Sequence, residues 1–202
     1  MPTTRLEAFS DAVIAIIITI MVLELRAPAD TQWSSLRPLL PVFFAYLLSF
    51  VNLGIYWNNH HHLLHSIRHV TGGVLWANLH LLFWLSLLPF ATGWLGEHHV
   101  SKASAILYGG VLLLAALAYY VLQAVLLRAQ GPGSQLALAL GRDLKGKASV
   151  VIYAAGILLA LFNPIPAIAL YVLVALMWLV PDRRLEMSAG LADPGGDSDE
   201  QG

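Results

Sequence analysis

FSDAVIAIIITIMVLEL, residues 9–25, is the stretch that decides the architecture. Apart from Ser10 and Asp11 near its start and Glu24 near its end it is almost unbroken apolar chain. A helix that crosses a bilayer needs about 20 mostly apolar residues. Three later stretches satisfy the same condition: Leu39 to Leu63, Val74 to Leu95 and Ala103 to Leu127. Two shorter ones, Ala148 to Phe162 and Ala167 to Val180, are separated only by Asn163-Pro164-Ile165-Pro166. Proline ends one helix and can open the next, so this junction reads as a tight helical hairpin rather than one broken helix. Composition agrees. Of 202 residues, 58% are hydrophobic and 11% charged, whereas soluble domains run at about 45–50% apolar and about 25% charged. The expected fold class is an all-α membrane protein with six transmembrane helices per subunit.

Charge placement sets the expected orientation. With a cytosolic N-terminus, the inner side carries Arg5, Arg68, Arg128, Arg142, Lys145, Lys147, Arg183 and Arg184, and the outer side only Arg26, Arg37 and Lys102. The positive-inside rule therefore selects N-in, C-in. A cleaved signal peptide ending at Ala27-Pro28-Ala29 is the competing reading. Glu7 and Asp11 lie where such peptides are rarely acidic, and Glu24 and Arg26 crowd the supposed cleavage point, which argues against it. The expected organisation is a six-helix domain over residues 1–184 and a polar, acidic tail over 185–202 that cannot bury enough apolar surface to fold. Gln135 to Leu140, in the longest internal loop, reads as a short surface helix or simply as loop. A formal net charge of -1 offers no footprint for nucleic acid. The absence of cysteine excludes disulfides, thiolate metal sites and cysteine nucleophiles.

Within the first span, Thr4-Arg5-Leu6-Glu7 has the spacing of a capping box, with Thr4 and Glu7 as its reciprocal partners. At about 100° per residue, Phe9, Ala12, Val13, Ile16, Thr19, Ile20 and Leu23 share one broad face. The remaining face, with Ile14, Ile17, Ile18 and Met21, is also apolar, so periodicity leaves open which side meets lipid. Ser10 and Asp11 point away from the stripe. An acid inside a span is costly and faces a partner or water. Arg5 is badly spaced to serve Asp11 along the helix. The end of the second span, Trp57-Asn-Asn-His60-His-His62, is the expected source of a partner.

Histidines are the rival feature. His61, His65 and His69, or His62 and His65, recur at helical spacing and could bind a metal ion. That would suit an alternative function as a histidine-rich metal or cation transporter. No acid accompanies them between His60 and His69, and only His80 lies mid-span, so a solvated helix end is the expectation, with no metal site and no cofactor. An enzyme is not expected. Ser10 and Asp11 point about 100° apart on a helix, and no nucleophile elbow is visible.

Arg5-x-x-x-Phe9-Ser10-Asp11 at the entrance to the first of six helices resembles the signature of the transmembrane protein 175 family of potassium channels. Trp57-x-x-His60 at the end of the second helix, and Asn78 with Leu87-Leu-Pro89-Phe90 in the third, agree with the resemblance in order. What it implies is a potassium-selective channel in the cell membrane, a homotetramer surrounded by lipid, with a central pore lined by the first helix and K+ as the permeant ion. The family has no carbonyl filter, and no Thr-Val-Gly-Tyr-Gly string occurs here. By the resemblance Ile16 is the pore constriction, and Thr19, Ile20 and Leu23 form further layers. These four fall on the stripe found from periodicity. The resemblance further implies that Arg5, Ser10 and Asp11 form a structural network with Trp57 and His60, beside Phe9 of the signature. The run His61, His62, His65 and His69 departs from the family's pattern, and clustered histidines titrate near neutrality.

Overall fold

The structure, a computed structural model, describes residues 2–65, 67, 69–98, 100–131, 134 and 143–179. The proposed tail over 185–202 and the Gln135 to Leu140 segment lie outside the described residues. Every regular element described is helical: α1 (Thr3–Val22), a 3₁₀ turn (Trp33–Leu39) leading into α2 (Leu40–His65), α3 (Gly72–Ser86), α4 (Leu88–Glu97), α5 (Lys102–Gln130), α6 (Leu144–Ala160) and α7 (Pro164–Leu179). Each of the six expected spans is helical, the third as the two helices α3 and α4.

Local chemistry explains the boundaries. Thr71, Ser101 and Asp143 each accept a backbone N–H three residues on, opening α3, α5 and α6. Asn163 Oδ1 accepts the Ile165 N–H at 3.0 Å, and Pro164 supplies the first residue of α7. The junction is thus the tight antiparallel hairpin that the prolines implied. One expectation fails at the first helix. Thr4 is not a cap: α1 already begins at Thr3, after Pro2, and no side chain caps it. Glu7, which the capping box required, is instead drawn to histidines of α2. The third span also differs from a single rod. It breaks at Leu87, because Pro89 has no N–H to donate back along the chain and its ring crowds the preceding turn.

Lengths suit a bilayer. Trp33–His65, Gly72–Glu97 and Lys102–Gln130 are each long and apolar enough to cross. At 1.5 Å per residue, α6 and α7 reach only about 25 Å, short of the hydrocarbon thickness of about 30 Å, a mismatch that local thinning accommodates. The outer surface is apolar. Phe43, Phe44, Leu47 and Phe50 on α2 and Trp76 and Phe83 on α3 are all exposed. Water would penalise such a surface heavily, whereas lipid does not.

Inside, several buried polar side chains are satisfied by one another, as a lipid-embedded bundle favours. Thr92 Oγ1 donates to the Leu88 carbonyl at 2.6 Å. With that proton committed, Ser49 Oγ donates to Thr92 Oγ1 at 2.7 Å and Tyr108 donates to Ser49 at 2.9 Å. This relay ties α2, α4 and α5 together. Around α7, Tyr171 donates to the Ala105 carbonyl at 3.2 Å and sits 6.0 Å from the rings of both Tyr108 and Tyr153. Gly109 and Gly156 leave the space Tyr171 occupies, for a Cβ at either would run into its ring or hydroxyl. Small residues of this kind let membrane helices approach. Gly109→Ala is therefore expected to destabilise the bundle by about 1–2 kcal/mol through overpacking. Thermal unfolding in detergent checks it, and an unchanged melting temperature would mean that Tyr171 can move aside.

The candidate pore helix and its anchoring network

α1 packs against α2, α3 and α4, and these contacts fix which way it faces. Leu6, Ser10, Ile14, Ile17 and Met21 point inward and are buried. Most of the opposite face is bare: Phe9, Ala12, Ile16, Thr19, Ile20 and Leu23 are all exposed on the isolated chain, Ile16 at 55% and Leu23 at 73%. Of the stripe expected from periodicity, only Val13 is partly covered by the core. A helix apolar on both sides has no intrinsic phase. Here the inward phase brings Ser10 to polar partners in the bundle, among them the buried Asn78 amide that needs its oxygen as acceptor.

Those partners form a chain across three helices. Ser10 Oγ donates to the Leu6 carbonyl of its own helix at 2.8 Å. Asn78 of α3 donates through Nδ2 to Ser10 Oγ at 2.9 Å, and its Oδ1 lies 2.6 Å from His60 Nε2 of α2. Because an amide oxygen only accepts, His60 donates from Nε2. The tautomer is thereby set, and Nδ1 is left bare, a buried nitrogen without a hydrogen-bond partner. Beside this chain, Trp57 Nε1 of α2 donates to Asp11 Oδ1 at 3.0 Å, the cross-helix partner that the acid required.

The expected network residues therefore separate into groups. Ser10 and His60 are joined, though only through Asn78. Asp11 and Trp57 form their own contact. Arg5 is exposed and makes no side-chain hydrogen bond or ion pair among the described residues. Phe9 stands on the bare face instead of in the network. Asn78 is the residue that site prediction omitted. An amide in the middle of an apolar span was the signal available, since such a group has to be paired.

The histidines divide as well. His80 is exposed, and its Nε2 accepts from Trp84 Nε1 at 2.9 Å one turn on. His61 and His65 both turn toward Glu7 of α1, whose Oε1 lies 2.7 Å and 3.4 Å from their Nδ1 atoms. Trp57 stacks on His61 with ring centroids 6.4 Å apart.

Comparison with known proteins places the chain in a lineage. Residues 5–89 match the family described as "Endosomal/lysosomal potassium channel TMEM175". A protein of Chryseobacterium sp. (strain P1-3), named a potassium channel, is 52% identical over 184 residues, covering 91% of this chain and 96% of the relative. One from Streptomyces collinus, also named a potassium channel, is 35% identical over 126 residues, covering 58% of this chain and 61% of its own. In three dimensions the chain resembles the crystal structure of a lysosomal potassium-selective channel TMEM175 homologue from Chamaesiphon minutus. The TM-score is 0.77 and the identity 26%, over 90% of this chain and 97% of that one. The relatives are named as channels, not enzymes. Sequence shared along nearly the full length and a bundle of the same shape lead to one conclusion: the chain belongs to the TMEM175 family.

Proposed function

We propose that this chain is one subunit of a potassium channel in the cell membrane. Four copies surround a pore lined by the bare face of α1, with both termini in the cytosol. The observation that carries the reading is the two-faced first helix. Its inner face is pinned to α2 and α3 by buried polar contacts, while Ile16, Thr19, Ile20 and Leu23 stand free on the other. The potassium-channel names of the relatives, one of them alike along 91% of this chain, support the choice of ion. Without a carbonyl filter, Ile16 supplies a hydrophobic constriction that gates by dewetting. The test is electrical recording from the purified protein in planar bilayers. K+ current without a co-substrate is the expected result. Saturable metal-coupled uptake with no current would replace the channel by a transporter.

Thr19 carries the proposed selectivity. Its hydroxyl donates to the Ile16 carbonyl at 2.9 Å, which spends the proton within the helix and leaves the oxygen lone pairs on the bare face. Four such oxygens can replace part of the hydration shell of K+, which is held less tightly than that of Na+. Thr19→Val keeps the shape and removes the oxygen. It is expected to lower the K+/Na+ permeability ratio roughly fivefold, about 1 kcal/mol. Reversal potentials in mixed salts measure this, and an unchanged ratio would remove Thr19 from the role.

A further inference from the structure

We propose that Glu7, His61 and His65 form a binding site for one late first-row divalent cation, of which Zn2+ is the representative, held across α1 and α2. The inference stands on the geometry of these three side chains, whether or not the pore conducts K+. His61 and His65 are one helical turn apart on α2 and present neighbouring rings with centroids 4.7 Å apart. Glu7 meets them from α1, and the three donor atoms all lie within 4.8 Å of one another. Tetrahedral zinc, with bonds of about 2.0–2.2 Å, sets its ligand atoms roughly 3.4 Å apart. The His65–Glu7 separation of 3.4 Å already matches that value, and the His61–Glu7 separation of 2.7 Å, a hydrogen-bonding distance, has to open to admit the ion.

The donor set chooses the metal. Two imidazoles and one carboxylate, with a fourth position open to water, are a zinc-type set. Ca2+ and Mg2+ prefer all-oxygen shells and would be poorly served by two nitrogens. Access is provided by His65, whose side chain is 64% exposed, while Glu7 at 16% is held in place by the helices around it. A largely buried carboxylate has to be paired, and a divalent cation brings two positive charges to it where a histidine brings at most one. Reading the histidine run alone could not find this site, because its acid comes from a different helix. None of the three residues belongs to the Ser10–Asn78–His60 chain or to the Asp11–Trp57 contact. A bound ion would fasten the first turns of α1 to the last turns of α2.

Calorimetric titration of the purified full-length protein with Zn2+ at neutral pH tests the proposal. One ion per chain is expected. Glu7→Gln and His65→Ala should each weaken binding by about tenfold or more, and the rise in melting temperature that Zn2+ gives the parent protein should shrink in both. His69→Ala, outside the cluster, should bind as the parent does. Absence of saturable Zn2+ binding would overturn the proposal. So would binding that survives both Glu7→Gln and His65→Ala, or that is lost in His69→Ala alone.

Discussion

Ile16→Ala is expected to raise the K+ current of the reconstituted channel by about tenfold, equivalent to removing roughly 1.4 kcal/mol from the conduction barrier. The side chain stands on the bare face of α1, where four copies narrow the proposed pore. Truncation widens the ring and removes apolar surface that expels water, so the constriction stays wet for longer. Because Ile16 is exposed within its own subunit, at 55%, the fold has little to lose. Its neighbour provides the contrast. Ile17 is 4% exposed and packed in the core, so Ile17→Ala should cost about 2–5 kcal/mol of stability by leaving a cavity, without a comparable gain in current per folded channel. Single-channel recording and thermal unfolding of the two variants separate the effects. If Ile16→Ala conducts as the parent does while Ile20→Ala or Leu23→Ala conducts more, the constriction lies at another layer.

Asn78→Ala is expected to be the most damaging single change in the anchoring network, at about 3 kcal/mol. The amide makes two bonds, to Ser10 on α1 and to His60 on α2. Hydrogen bonds between membrane helices are individually modest, about 0.6 kcal/mol on average, so their loss alone would not reach this figure. The larger share comes from what is left behind. Ser10 keeps its bond to the Leu6 carbonyl, but His60 loses the acceptor for its Nε2–H while its Nδ1, an acceptor in this tautomer, already has no donor. A wholly unsatisfied imidazole is then buried, at about 1–3 kcal/mol, and the vacated volume adds a cavity term. If this is the source, removing the second polar partner helps. The double variant Asn78→Ala/His60→Leu should unfold at a higher temperature than Asn78→Ala alone, a comparison that isolates the pair. A double variant no more stable than the single one would shift the cost to packing. Asp11→Asn, by contrast, keeps an acceptor for Trp57 and should cost far less.

The legible and illegible parts of the candidate site differ in kind. Ile16, Thr19, Ile20 and Leu23 could be grouped because 100° per residue is a property of one helix, independent of its neighbours. The need of Asp11 for a partner on another helix was equally readable, since an acid in an apolar span is costly wherever it sits. In the sequence Asn78 reads only as a marker of the third helix. Its place between Ser10 and His60 depends on how α3 crosses α1 and α2. Glu7 departs from the capping-box expectation for the same reason: a capping box is local, and the pull of His61 and His65 from α2 is not. The break at Leu87 was within reach, because Pro89 stands inside the apolar run and cannot continue a helix ladder.

By itself, then, the amino-acid sequence determined that this protein is an all-helical membrane bundle of six spans. Long apolar runs, prolines at the α6–α7 junction and capping side chains before α3, α5 and α6 act over distances of a few residues. The phase of α1, by contrast, is set by contacts between helices. With isoleucines on both sides, hydrophobicity cannot orient that helix. It turns Ile14, Ile17 and Met21 inward because the buried Asn78 amide of α3 needs an acceptor and finds it in the Ser10 hydroxyl beside them, and Ile16 and Leu23 are left facing out.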